Sequence, residues 1–210
     1  TRPGPTLEVP DLRLSPDDVA SILFTSGTTG VPKGVMLTHR NFTSLLGSLS
    51  TLFPLEHSDR VLSVLPLHHT FEFSCGLLLP LARGARIIYL DELTGERLAH
   101  GLKEGRVTAM VGVPAVWQLL ERRIRGQVKE KGVLFELAVD AGLELNRMLG
   151  HSTGLDIGRV FFVSLHDRLG GNIRLLISGG AALPRDTQEL FTGLGLHLAE
   201  GYGLTEAAPV

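Results

Sequence analysis

The sequence contains a single cysteine, Cys75. A lone thiol cannot close an internal disulfide or furnish a cysteine-based zinc site, so nothing here calls for an oxidising compartment. Neither charge is in excess: 20 Lys and Arg face 22 Asp and Glu, a formal net charge of −2. That balance excludes a strongly basic nucleic-acid binder, whose affinity comes from clustered positive charge displacing counterions. Long apolar runs are missing as well, and the stretches at 76–81 and 110–117 fall well short of a membrane span. The first ten residues are polar and proline-rich, without the apolar core of a signal peptide. What is plentiful is core material: 43% of residues are hydrophobic and 20% charged across 210 residues, enough for one sizeable domain or two small ones and against global disorder. The chain begins without Met and stops directly after a dense motif, which reads as a piece of a longer protein.

Hydrophobic patterning divides the chain. Pro3, Pro5, Pro10 and Pro16 remove amide donors from residues 1–16, which read as an extended linker. From residue 17 onward short apolar runs alternate with helical periodicity. Strands are expected at 21–24, 35–37, 61–65, 85–90, 109–113, 174–178 and 197–199. Helices are expected at 40–53, near 73–81, and at 96–104, 115–125, 134–149, 160–169 and 185–194. The 115–125 helix carries Val116, Leu119, Leu120 and Ile124 on one face and is expected to fray at Gly126. Pro184 sits where a first-turn proline belongs. Strands separated by helices predict an α/β fold with a mostly parallel sheet covered on both faces.

The most informative segment is the loop Thr25-Ser26-Gly27-Thr28-Thr29-Gly30-Val31-Pro32-Lys33-Gly34. Its glycines allow close backbone approach to a ligand. Its hydroxyls and amides suit phosphate oxygens, and Lys33 adds a mobile positive charge. A plain surface turn seldom concentrates so many of these groups in ten residues. A Walker-type loop needs Lys followed by Ser or Thr at a helix start, whereas Lys33 lies between Pro32 and Gly34 ahead of a strand. The loop is therefore a phosphate loop of another kind.

Two further motifs follow it. Ser178-Gly179-Gly180-Ala181 is a small-residue turn, and Glu200-Gly201-Tyr202-Gly203-Leu204-Thr205-Glu206 places one of two tyrosines between glycines. An aromatic face can stack on a purine, a threonine hydroxyl can donate to phosphate, and a carboxylate is a hard ligand for magnesium. In this order the three motifs resemble those of the adenylate-forming enzymes: acyl-CoA synthetases, luciferases and peptide-synthetase adenylation domains. The resemblance runs from about Asp17 to the end of the chain. It implies that 17–210 is an AMP-binding core, part of a large N-terminal domain. The family's ribose-binding aspartate and its C-terminal lysine-bearing domain are not in this sequence.

The resemblance also implies roles. Thr25, Ser26, Gly27, Thr28, Thr29, Gly30 and Lys33 would hold the phosphates. Gly180, Ala181, Tyr202 and Gly203 would line the adenine, with Gly179 and Gly201 close to the acyl adenylate. Thr205 would contact phosphate and Glu206 would hold Mg2+. In Leu65-Pro66-Leu67-His68-His69-Thr70-Phe71-Glu72, adjacent histidines on a strand would face opposite ways, which disfavours a shared metal. His69 aligns with the family histidine near the carboxylate and α-phosphate, and His68 reads as structural. The His-x-Phe-Glu spacing resembles the long-chain acyl-CoA synthetase branch, as does the helical stretch between 126 and 174. Val113, Pro114 and Trp117 are candidates for an acyl tunnel, with Trp117 read as core. Residues 71–74 also resemble a peptide-synthetase stretch in which an acidic residue binds an amino group.

The implied reaction is ATP-dependent activation of a long-chain fatty acid to acyl-AMP, then transfer to coenzyme A. The alternatives are a nucleotide-binding piece without complete catalysis, and acyl or amino-acid loading of a carrier protein. The implied setting is cytoplasmic, with at most peripheral membrane contact; the basic run at 121–131 reads as a solvated helix face with a Glu121–Arg125 pair.

Overall fold

The structure, a computed structural model, describes residues 13–25, 32–153 and 155–205. Strands β1 (Val19–Thr25) and β2 (Lys33–Thr38) form a two-stranded antiparallel hairpin apart from the main sheet. Thr38 then caps helix α1 (His39–Leu52): its hydroxyl accepts the Asn41 amide at 3.3 Å, and Asn41 Oδ1 accepts the Thr38 amide at 2.8 Å. The reciprocal pair satisfies two donors at the helix start, and α1 buries Phe42, Leu45 and Leu49.

The main sheet has five parallel strands: β3 (Arg60–Ser63), β4 (Arg86–Tyr89), β5 (Ala109–Gly112), β6 (Leu175–Ser178) and β7 (Leu198–Glu200). Their spatial order is β4-β3-β5-β6-β7. The chain therefore steps outward from β3 to β4, then crosses to the other side of β3 and continues through β5, β6 and β7. The order reverses between β3 and β5.

Two layers cover the sheet. On one face α1, a π-helical turn (Phe73–Leu78) and α3 (Leu79–Ala82) bury Leu49, Cys75 and Leu79 against Val61, Val111 and Ile177. On the other, α4 (Gly95–Glu104), α5 (Pro114–Glu130) and α9 (Arg185–Gly193) bury Leu98, Leu102, Trp117 and Phe191 against Leu62, Met110 and Leu176. Trp117 is fully buried and meets the Phe191 ring edge-on at 5.9 Å, as a core residue. Helices α6 (Val133–Thr153), α7 (Gly158–Phe161) and α8 (Val163–Arg168) complete the second layer. No helix among the described residues is long and apolar enough to cross a membrane.

The amino ends of three strands are tied by one buried carboxylate. Asp59 Oδ1 accepts the Thr108 hydroxyl at 2.6 Å and Arg174 Nε at 3.0 Å, while Oδ2 accepts the Glu56 amide at 2.7 Å. Burial disfavours the charged form of Asp59, but the hydrogen bonds from Arg174, Thr108 and Glu56 outweigh it and hold this carboxyl below its usual range.

The α/β architecture with its parallel sheet agrees with the sequence reading, and three details differ. The strands flanking the 26–32 loop pair antiparallel in a sheet of their own. Helix α5 does not fray at Gly126 but continues to Glu130. One exposed glycine costs only about 1 kcal/mol, and Arg125 is already braced by Glu121 at 2.9 Å. The 160–169 helix starts at Gly158 and breaks at Phe162, where the backbone leaves helical geometry (φ −105°, ψ 30°) and the ring enters the core.

Candidate functional site

Because the five strands are parallel, their carboxyl ends share one edge of the sheet. In α/β folds ligands bind outside such an edge, at the point where strand order reverses. Here that point lies between the loop after β3, which carries His69, and the step from β5 into α5, which carries Val113.

Backbone contacts draw the neighbouring loops together. The Gly179 amide donates to the Gly112 carbonyl at 3.0 Å, and the Gly201 amide to the Ser178 carbonyl at 2.8 Å. Gly179 is buried, and a Cβ there would lie 2.7 Å from the Phe71 ring, so the ring occupies the space a side chain would need. Gly180 has φ +79°, a left-handed conformation that glycine adopts without cost. A Cβ on Gly180 would touch Val113 Cγ1 at 3.4 Å. Val113, Gly179 and Gly180 are thus brought together, with the His69–Phe71 turn beside them. Glu200 Oε1 accepts the Leu183 amide at 3.0 Å and pins the 179–184 turn to β7.

Other candidates line the same edge more loosely. Ala181 and Gly203 are exposed, Gly201 and Thr205 are half-buried, and Tyr202 is 83% exposed. Tyr202 and Thr205 hydrogen-bond to no other described residue, which leaves an aromatic face and a hydroxyl open to a ligand. Thr25 and Lys33 are paired across the hairpin where the 26–32 connection joins the two strands. Lys33 is exposed, and its side chain makes no hydrogen bond or ion pair among the described residues. Ser26, Gly27, Thr28, Thr29, Gly30 and Glu206 lie outside the described residues. Among the described residues no cluster of three His, Cys, Asp or Glu side chains forms a metal site.

The histidines do not sit on a strand, because β3 ends at Ser63. The His69 amide closes a turn onto the Pro66 carbonyl at 3.0 Å, and His69 then precedes helix α2 (Thr70–Glu72). Both imidazoles are exposed on the same side, with ring centroids 4.3 Å apart. The expectation of opposite faces fails because a turn does not alternate side chains as a strand does.

Glu72 is the residue whose place the sequence reading missed. It is fully buried, and the Ser63 hydroxyl donates to its Oε1. A Cβ on Gly76 would collide with its carboxylate, so the small residue one turn on makes room for it. That glycine, at i+4 from an acidic residue in an apolar helix, was the available signal. Burial is the largest influence on Glu72 and pushes its carboxyl up to about 7; hydrogen bonding from Ser63 and the amides of Leu65 and Val64 pulls the other way. Buried in this way, the carboxylate is not offered to a substrate ammonium at the crevice. Nearby Cys75 has its thiol pushed up to about 12 by burial and by Glu72, so it is not a nucleophile at neutral pH. The turn after Glu72 widens to π-helical geometry just before Pro80. Proline cannot donate to the carbonyl four residues back and crowds it, and the wider turn relieves that clash.

Comparison with known proteins fits this arrangement. The family model described as AMP-binding enzyme matches residues 3–210. Long-chain-fatty-acid–CoA ligase 1 of Saccharomyces cerevisiae is 37% identical over 201 residues, covering 90% of this chain and 28% of the relative. The peroxisomal long chain acyl-CoA synthetase 6 of Arabidopsis thaliana is 34% identical over 199 residues, covering 93% and 28%. Among solved structures, the inhibitor-bound N-terminal domain of FACL13 from Mycobacterium tuberculosis superposes with a TM-score of 0.70 at 25% identity, over 95% of this chain and 40% of that one. A malonyl-CoA ligase with methylmalonyl-CoA and AMP bound gives a TM-score of 0.66 at 27% identity, over 94% and 35%. The chain thus spans well under half the length of the proteins it matches.

Proposed function

The chain belongs to the AMP-binding enzyme family, and from that premise we propose that the whole protein is a long-chain fatty acid:CoA ligase whose AMP-binding core comprises residues 17–210. A carboxylate is a poor acyl donor because its leaving group would be oxide. In the first step a fatty-acid carboxylate oxygen bonds to the α-phosphorus of ATP, and the bond from that phosphorus to the β-phosphate's bridging oxygen breaks, releasing pyrophosphate. In the second, the coenzyme A sulfur attacks the acyl carbon, AMP leaves, and the thiol proton passes to solvent. Catalysis of the first step is alignment and charge neutralisation.

The observation that carries this reading is the convergence of Val113, Gly179, Gly180 and the His69 turn where strand order reverses. Glycines at that edge let a flat adenine and the acyl phosphate approach the backbone. The Tyr202 ring would cover the adenine, while His69 and Thr205 would meet the α-phosphate and the attacking oxygen. Thr25 and Lys33, with the loop between them, would neutralise the leaving pyrophosphate. Glu206 would hold the magnesium ion, which supplies further charge neutralisation on the triphosphate. A cytoplasmic setting, with at most peripheral membrane contact, accompanies this reading. The long-chain assignment is supported by the identities to long-chain ligases and by the buried Glu72, which leaves an amino-acid substrate without its counter-charge.

The test is palmitate-dependent exchange of labelled pyrophosphate into ATP by the whole protein. Lys33→Ala and His69→Ala should each slow exchange about 100-fold or more, the loss typical of one charge-stabilising group, with the unfolding midpoint unchanged. Wild-type exchange rates in both variants would overturn the assignment. AMP binding without any exchange in the wild type would favour a nucleotide-binding module.

A further inference from the structure

A concave groove lies away from the carboxyl edge of the sheet. Helix α5 starts beside the carboxyl end of β5 and, as the crossover toward β6, returns toward the amino ends of the strands. With a rise of about 1.5 Å per residue, its second half stands well away from Val113. Between that half, α6, α8 and α9 is a groove of about 610 Å³, inside the range of about 300–1,000 Å³ typical of small-molecule sites.

The floor of the groove is apolar. Phe135, Val139 and Leu143 come from α6, Phe162 and Leu165 from the segment around α8, and Leu190 from α9. The rim is basic: Arg122, Arg125, Lys129, Lys131 and Arg168 stand against only Glu136 and Asp140. Two of these cations are engaged, Arg125 with Glu121 at 2.9 Å and Lys131 over the Phe135 ring at 4.4 Å. Arg122, Lys129 and Arg168 are exposed and have no carboxylate partner among the described residues.

An apolar trough under a rim of unpaired positive charge matches a ligand with a long apolar body and an anionic head. A neutral apolar segment would leave the cations unanswered, and a flat membrane surface would not reach the floor of a concave groove. We propose that this groove binds a long-chain fatty acid, its chain on the apolar floor and its carboxylate at Arg122, Lys129 and Arg168. The choice of a fatty acid among anionic amphiphiles rests on the ligase reading; the groove and its charge pattern do not. Such a site would hold fatty acid at a distance from the crevice, as a reservoir or a sensor of supply.

The probe is a palmitate analogue with a photoreactive diazirine near the chain end, cross-linked to the whole protein and located by peptide mapping. Its uncharged alcohol counterpart serves as control, and pyrophosphate exchange is measured on the same samples. Labelling should fall within residues 122–143 and 161–168 and exceed that by the alcohol. A triple variant, Arg122→Glu, Lys129→Glu and Arg168→Glu, should raise the analogue concentration needed for half-labelling about tenfold, the loss expected when charge-assisted hydrogen bonds to a carboxylate are removed. A second variant, Phe135→Ser with Phe161→Ser, which removes two of the rings lining the groove, should reduce groove labelling through apolar contact alone. Labelling confined to the crevice, equal labelling by the alcohol, insensitivity to the triple variant, or no groove labelling in the whole protein would each overturn the proposal. Groove labelling without pyrophosphate exchange would sink the ligase reading and leave the groove standing; exchange without groove labelling would do the reverse.

Discussion

The two ends of the parallel sheet solve the same problem in opposite ways. At the amino end Asp59 is buried with its hydrogen bonds made, by Arg174, Thr108 and the Glu56 amide. At the carboxyl end Glu72 is buried with the Ser63 hydroxyl on Oε1, and hydrogen bonding from Ser63 and the Leu65 and Val64 amides does not offset its desolvation, while the Ser74 and Ser178 hydroxyls are unpartnered. The environments push the carboxyls apart, Asp59 below its usual range and Glu72 up to about 7. An ion pair with satisfied hydrogen bonds fastens strands together, whereas a desolvated acid beside orphan hydroxyls carries a free-energy cost. The strained end is the one that faces the crevice.

Three measurements would break or sharpen that contrast. The largest effect is expected at the satisfied end. Asp59→Ala should lower unfolding stability by about 3–5 kcal/mol, toward the smaller figure because Arg174 keeps contact with water, as read from denaturant midpoints. Because the Asp59 pKa is lowered on folding, its contribution is present above the unfolded carboxylate pKa and is lost as pH falls through the lowered value. Asp59→Asn should remove that acid-side loss, and an unaltered acid profile would show that Asp59 does not hold the strands through its charge.

Glu72 should show the opposite slope. Its carboxyl is raised on folding from 4.5 to about 7, so the folded state keeps a proton that the unfolded chain releases. Stability from this group falls as pH rises across that window, by about 3 kcal/mol at about 1.4 kcal/mol per pH unit, and then levels off. Glu72→Gln should flatten this part of the profile; a slope that persists in the variant would remove Glu72 as its source.

The smallest effect is expected at the glycine floor of the crevice. Gly179→Ala places a methyl group against the Phe71 ring and should cost about 1–3 kcal/mol, as overpacking does. Combining it with Phe71→Ala should recover part of that loss. Strict additivity in the double variant would mean that the ring and the glycine are not in contact.

Much of this was legible from local sequence. The expected strands and helices appear with boundaries shifted by a few residues, because periodicity and Pro184 report on backbone preference over short distances. The glycine motifs at 178–181 and 200–206 begin at the carboxyl ends of β6 and β7. What periodicity could not show was partnership. The strands flanking the 26–32 loop have patterns compatible with either direction of pairing, and only the hairpin makes them antiparallel. His68 and His69 read as strand residues, but β3 ends at Ser63 and a turn carries them. The burial of Glu72 was not legible because it depends on Ser63 and Gly76 arriving from other turns.

The sequence by itself determined the α/β alternation and the family, since these follow from residue chemistry and spacing along one chain. The tertiary structure alone decided that strand order reverses between β3 and β5, and that Phe71 closes over Gly179. It also decided that Asp59 is satisfied while Glu72 is not, and that unpaired cations ring an apolar groove behind α5. Each of these depends on residues distant in sequence entering one low-dielectric neighbourhood, where burial and partners set the energy of a group more than its own chemistry does.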